Sequence, residues 1–131
     1  MLAFIPPQIK RFQTINLADN SISEYGMHAI KSLISSSRIE NLNLASNMIS
    51  EVGLSLILEE MIKNSFIKYL DLGISQGSIR KNSFGIDGSR CLAAILLQNK
   101  KLEVLKLEDN DIGINGAEII SIPLKRNKTL K

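Results

Sequence analysis

The chain has 131 residues, 44% of them apolar and 22% charged, with a formal net charge of +3. A domain of that size and apolar content buries roughly two-thirds of its unfolded surface, which excludes intrinsic disorder. No run of about 18 uncharged apolar residues occurs, which excludes a membrane-spanning helix, and with one cysteine (Cys91) and one histidine (His28) the chain can form neither an internal disulfide nor a zinc site.

In chain order, Met1–Arg11 carries Pro6-Pro7 and no basic leader ahead of its apolar residues, so it does not read as a secretory signal. Its Phe4, Ile5 and Ile9 are expected to form a partial N-terminal cap. From Phe12 onward one pattern recurs. FQTINLADNSI (12–22), IENLNLASNMI (39–49) and LEVLKLEDNDI (102–112) share a spacing, and IKYLDL, beginning at Ile67, opens a disturbed copy. The first apolar positions Phe12, Ile39, Ile67, Leu102 and Leu130 are 27, 28, 35 and 28 residues apart. The 35 is 28 plus an insertion of seven, placed in Gly73–Lys81 (GISQGSIRK).

The alternation in each copy predicts a short strand centred on Ile15–Leu17, Leu42–Leu44, Leu70–Leu72 and Leu105–Leu107. Asn20, Asn47, Asn82 and Asn110 then fall where the chain leaves the strand, and their amides can satisfy turn backbone groups across repeats. A glycine follows each Asn by six residues (Gly26, Gly53, Gly88, Gly116), and helical spacing begins there. In the first helix Gly26, Ala29, Ile30, Leu33 and Ile34 make one apolar stripe. Ser21-x-x-Glu24 has the form of a capping box, and Ser50 that of an N-cap. Pro123 is expected to interrupt the fourth helix, and Leu130 to open a fifth strand.

This pattern, L-x-x-L-x-L-x-x-N-x-I followed by G-x-x-x-L, resembles the ribonuclease-inhibitor-like subclass of leucine-rich repeats over about Phe12 to Leu130. The resemblance implies an α/β fold: a right-handed solenoid, or horseshoe, of about four repeats, with a parallel sheet on the concave face and helices on the convex face. The whole chain, residues 1–131, then reads as a single domain. It is expected to continue a longer array, to associate end to end, or to lean on a partner.

The residues offer no catalytic constellation. His28 lies off the apolar stripe, Cys91 occupies the place of Ala29, Leu56 and Ile119 in the other repeats, and no phosphate-binding glycine motif appears. Neither an enzyme, a metal site nor a cofactor is expected. Basic residues are scattered apart from Lys10-Arg11, Arg80-Lys81, Lys100-Lys101 and the tail, and aromatics are 5%, so neither nucleic acid nor a membrane is the expected partner. The expected location is the cytoplasm.

What remains is surface. Residues between the core leucines point to the concave face, in rows that include Thr14, Asn16, Ala18 and Asp19, then Asn41, Asn43, Ala45 and Ser46. Asn16, Asn43, Asp71 and Lys106 should form one column. Tyr69 is the only aromatic there, and interfaces concentrate energy in such anchors. Tyr69, Asp71, Lys106, Glu108 and Asp109, with Arg80 and Lys81 rising beside them on the insertion, are the expected protein-binding patch. The leading reading is a non-enzymatic interaction module. The alternatives are a structural subunit of a larger assembly and a small-GTPase regulator, since Ran GTPase-activating proteins are built from similar repeats, although none of their catalytic residues can be matched here.

Overall fold

The computed structural model describes residues 13–63 and 65–131, so Phe12 and the expected cap residues Phe4, Ile5 and Ile9 lie outside the described residues. Strand and helix alternate: β1 (Thr14–Asn16), α1 (Ser23–Ser36), β2 (Asn41–Asn43), α2 (Glu51–Lys63), β3 (Tyr69–Asp71), α3 (Gly85–Gln98), β4 (Val104–Lys106) and α4 (Gly113–Arg126). The four strands make one parallel sheet in the order β1-β2-β3-β4, and each helix packs on the next. The register is the one the spacing predicts, with Ile15 opposite Leu42, Leu42 opposite Leu70 and Leu70 opposite Leu105.

Three-residue strands are stable here because apolar side chains from both layers close over them. Leu42, Leu44, Leu70 and Leu72 are fully buried, against Met27, Ile30 and Ile34 of α1, Leu54, Ile57 and Met61 of α2, and Leu92, Ile95 and Leu96 of α3. On α1 the buried stripe is Met27, Ile30 and Ile34, and Ala29 of the expected stripe is exposed. The recurring glycine is a packing requirement. A Cβ at Gly88 would strike the Phe84 side chain, and one at Gly116 would strike Ser89 on the neighbouring helix. Both are helical, so close approach rather than backbone freedom selects glycine there.

Several local expectations change. Ser21 does not cap α1: it sits in the left-handed region (φ 52°), Ile22 holds the cap position without a side-chain bond, and the Glu24 carboxylate accepts the Ser50 hydroxyl at 3.2 Å. Ser50 does behave as an N-cap, its Oγ accepting the Gly53 N–H at 3.4 Å. Pro123 does not interrupt α4, which runs on to Arg126 with Pro123 buried. A proline costs a helix one N–H and a steric adjustment, and three residues from the helix end that cost is borne by the packing around it. At Lys131 the sheet ladder is already resuming: its N–H donates to Glu103 O at 2.8 Å, as Glu103 N does to Lys68 O and Lys68 N to Glu40 O.

Candidate protein-binding surface

The site is built on the turns that leave the strands. Asn47, fully buried, accepts the N–H groups of Asn20 and Ile22 on Oδ1 at 2.9 and 3.2 Å and donates through Nδ2 to Leu17 O and Ala45 O. Asn82 does the same one repeat on, accepting from Asn47 N and Ile49 N and donating to Leu44 O and Leu72 O. Asn110 differs. Its Nδ2 donates to Leu72 O and Asn82 O, but its buried Oδ1 has no partner.

The insertion explains that difference. In the first repeat the N–H two residues past the Asn (Ile22) reaches the next Asn's side chain, and the N–H three residues past it (Ser23) reaches that Asn's main-chain oxygen. In the third repeat Phe84, only two residues past Asn82, already takes the main-chain oxygen of Asn110. The pairing has slipped by one residue. Residues flanking Asn20, Asn47 and Asn110 on both sides are left-handed, whereas Lys81 and Ser83 around Asn82 are not.

A second ladder, at the opposite edge of the sheet, was missed by the sequence reading. Asn99 donates to Met61 O and accepts the N–H groups of Lys101 and Leu102, and Asn127 donates to Leu96 O and accepts from Thr129 and Leu130. One residue further along in its own copy, Ser65 accepts Ile67 N. The signal was available as Asn-x-x-Leu before the first leucine of the last two copies. It was obscured because the second copy has Ser36 at that place before Ile39, although Asn64 keeps the spacing before Ile67.

On the concave face the column Asn16, Asn43, Asp71 and Lys106 is present in register. Its first three members share a task that spacing did not reveal. Each side-chain oxygen accepts the N–H two residues on: Asn16 from Ala18 (3.0 Å), Asn43 from Ala45 (2.9 Å) and Asp71 from Gly73 (2.9 Å). Asn43 is therefore half-buried and bonded rather than simply outward-pointing.

Tyr69 stands at the middle of the face, half-buried. On one side the Lys106 ammonium lies 5.8 Å from its ring centroid, within cation–π range. The pKa of Lys106 is raised by the Tyr69 hydroxyl first, and then by the Asp71 carboxylate and, more weakly, by that of Glu108. On the other side Tyr69 walls a hollow of about 160 Å³ lined by Thr14, Asn16, Asn41 and Asn43 over the Ile15 and Leu42 strands. The Glu108 carboxylate packs against Gly73, so Tyr69, Asp71, Lys106 and Glu108 do share one patch.

The insertion does not rise beside that patch as expected. It runs back along the strand ends as a strap. Ser75 N donates to Ser46 Oγ at 2.7 Å, and Ser78 Oγ and Arg80 Nη1 both donate to Asp19 Oδ1, at 3.1 and 2.8 Å. Arg80 thus belongs to the first repeat's turn. These bonds hold the Asp19 carboxyl below its ordinary value, Arg80 first and Ser78 second. Lys81 turns the other way, to Asp111 at 2.8 Å and Asp109 at 3.8 Å, and its pKa is raised chiefly by Asp111. Beneath the strap Ala45 and Ser46 are buried, so neither is part of the open concave surface. Ile79, between the two Asp19 contacts, is 98% exposed.

Away from this face, His28 is exposed and Cys91 is half-buried, with its thiol pKa pushed up by burial and then by Asp87. Among the described residues no three His, Cys, Asp or Glu side chains come together as a metal site, and no helix is long and apolar enough to cross a membrane.

Parallel strands, convex helices and laddered asparagines in about four units make a small solenoid of the leucine-rich-repeat fold. Residues 98–121 match the family model described as Leucine Rich repeat. No curated protein matches the sequence. Among solved structures the chain is similar to Leiomodin-1 Actin-Binding Site 2 (ABS2), with a TM-score of 0.76 at 19% identity, over 92% of this chain and 68% of that one.

Proposed function

We propose that this chain is a non-enzymatic binding module of the ribonuclease-inhibitor-like subclass, a single domain that works in the cytoplasm and holds a partner protein against its concave sheet. The observation that carries this reading is the position of Tyr69, which joins an uncharged hollow on one side to Asp71, Lys106 and Glu108 on the other. An aromatic with a polar tip, half-buried and surrounded by groups of both signs, has the composition of an interface anchor. The amide Nδ2 groups of Asn16 and Asn43, whose oxygens are engaged, remain as donors toward the hollow. That a similar solved domain is an actin-binding site supports a protein as the partner class. Arg80 and Lys81 contribute by fixing the strap beside this face, with Asp109 as a secondary counter-charge to Lys81.

The test is photo-crosslinking in native extract, with the reactive residue at position 69 or at exposed Glu59 on α2. A discrete adduct from position 69 alone is the expected result. Adducts from position 59 alone would reject the concave face.

A further inference from the structure

Charge is unevenly placed along the edge where the chain leaves each helix and enters the next strand. Residues 35–40, 63–68, 98–103 and 125–131 hold nine lysines and arginines against two carboxylates, Glu40 and Glu103. Both carboxylates are already paired, with Lys68 at 3.5 Å and with Lys131 at 3.1 Å. Arg38, Lys101 and Lys128 are exposed and pair with no carboxylate among the described residues. Arg38, Phe66 and Lys101 each stand directly before the first apolar residue of a repeat (Ile39, Ile67 and Leu102), so they occupy one position in three successive repeats. The fold brings them together. The Arg38 guanidinium lies 5.4 Å from the Phe66 ring centroid, and Phe66 and Lys101 line one hollow of about 430 Å³ with Ser35, Lys63 and Ser65. The helix dipole accounts for Lys63, Lys125 and Arg126, in the last turns of α2 and α4. The last turns of α1 and α3 have no basic residue, so it does not account for Arg38 and Lys101 beyond them. Nor does it account for a phenyl ring left 42% exposed between those two cations.

We propose that this hollow docks an extended acidic segment of a partner protein, with one apolar side chain set against Phe66 and carboxylates on either side of it reaching Arg38 and Lys101. The dimensions agree. Three strands spaced about 4.8 Å apart carry the row over about 10 Å, the length of three extended residues at about 3.4 Å each. Charge complementarity selects an acidic segment over a basic one. Single-stranded nucleic acid stacks on several free aromatic faces, whereas this row offers one ring with Arg38 over it. A membrane surface takes up apolar groups that project from the protein, whereas Phe66 walls a hollow of side-chain size. Both features favour a peptide.

This docking does not depend on the concave-face reading, so the two can fail independently. The probe is a short synthetic peptide with blocked ends, Glu-Glu-Leu-Glu-Glu at its centre and Ser and Gly elsewhere. Its controls carry Gln for every Glu, or Ser for the Leu. Each is titrated into the full chain at low ionic strength, with amide shifts followed by NMR. The Glu/Leu peptide should shift the amides of Phe66, Ile67, Lys101 and Leu102. Lys101→Glu should weaken it about tenfold and Phe66→Ser about fivefold, while Tyr69→Ala leaves it unchanged. Both substituted residues are exposed, and circular dichroism checks that each variant folds. Equal affinity for either control, shifts centred on Tyr69 and Lys106, or parent-like binding by both variants would overturn the proposal. So would tighter binding, lost in Phe66→Ser, of an oligothymidylate of the same charge or of phosphatidylserine vesicles.

Discussion

Two turns of this solenoid use the same residue type to different effect. Asn47 spends both sides of its amide on four backbone groups in two repeats, while Asn110, nearly as buried, uses only its donors. The difference lies in the repeat each one receives from. Asn47 meets an uninterrupted turn, and Asn110 meets the turn that the seven-residue insertion has displaced by one residue. A ladder residue's contribution is thus set by its neighbour's geometry as much as by its own burial.

The largest expected effect breaks the intact side of this comparison. Asn47→Ala strands two N–H groups and two carbonyls, and should lower the unfolding free energy by about 3 kcal/mol or more in urea melts. Asn110→Ala should cost about 1–2 kcal/mol, because only the donor side is lost. Equal losses would show that the orphaned oxygen does not matter.

Deleting residues 74–80 sharpens the point, since it restores the spacing of three from Leu72 to the Asn, with two residues between them. In that shortened chain Asn110→Ala should become as costly as Asn47→Ala. A loss still near that in the full chain would mean the slip does not come from the insertion.

On the concave column the same kind of bond is local and half-exposed. Asn43→Ala should cost about 0.5–1 kcal/mol, and Asn43→Asp, which keeps the acceptor as Asp71 does, should stay close to the parent. The smallest effect concerns the strap. Its Asp19 contact depends on an ionised carboxylate whose pKa is lowered on folding, so the contact persists above the ordinary value of 3.8 and is lost as pH falls through the lower folded value. Hydrogen exchange at Gly77–Arg80 should therefore rise, relative to the strands, only under acid conditions or in Arg80→Ala, with global stability little changed. Strap protection that is unchanged in Arg80→Ala would remove Asp19 as its anchor.

Much of the architecture was legible because it is periodic. Leu-x-Leu fixes which residues face the core, and the Asn three residues after the second leucine fixes where the chain turns. Repetition at 27 or 28 residues then fixes the parallel register, since each repeat meets only its neighbours. The column Asn16, Asn43, Asp71 and Lys106 follows from that register alone. Its bonding did not: a side chain that accepts the N–H two residues on looks, in the sequence, like one that points to solvent. The capping box at Ser21 failed for a related reason. Asn47 Oδ1 from the next repeat binds the Ile22 N–H, and the backbone at Ser21 turns left-handed to present it.

The sequence by itself determined the elements, their order, their register and the laddered asparagines, because those depend on short-range pattern and on contacts repeated in every unit. Only the tertiary structure decided the course of the strap. An insertion that occurs once has no period to read. That Arg80 reaches Asp19, 61 residues away, while adjacent Lys81 turns to Asp111, depends on where the turns of the first and fourth repeats lie in space. The orphaned oxygen of Asn110 and the burial of Ser46 follow from that path.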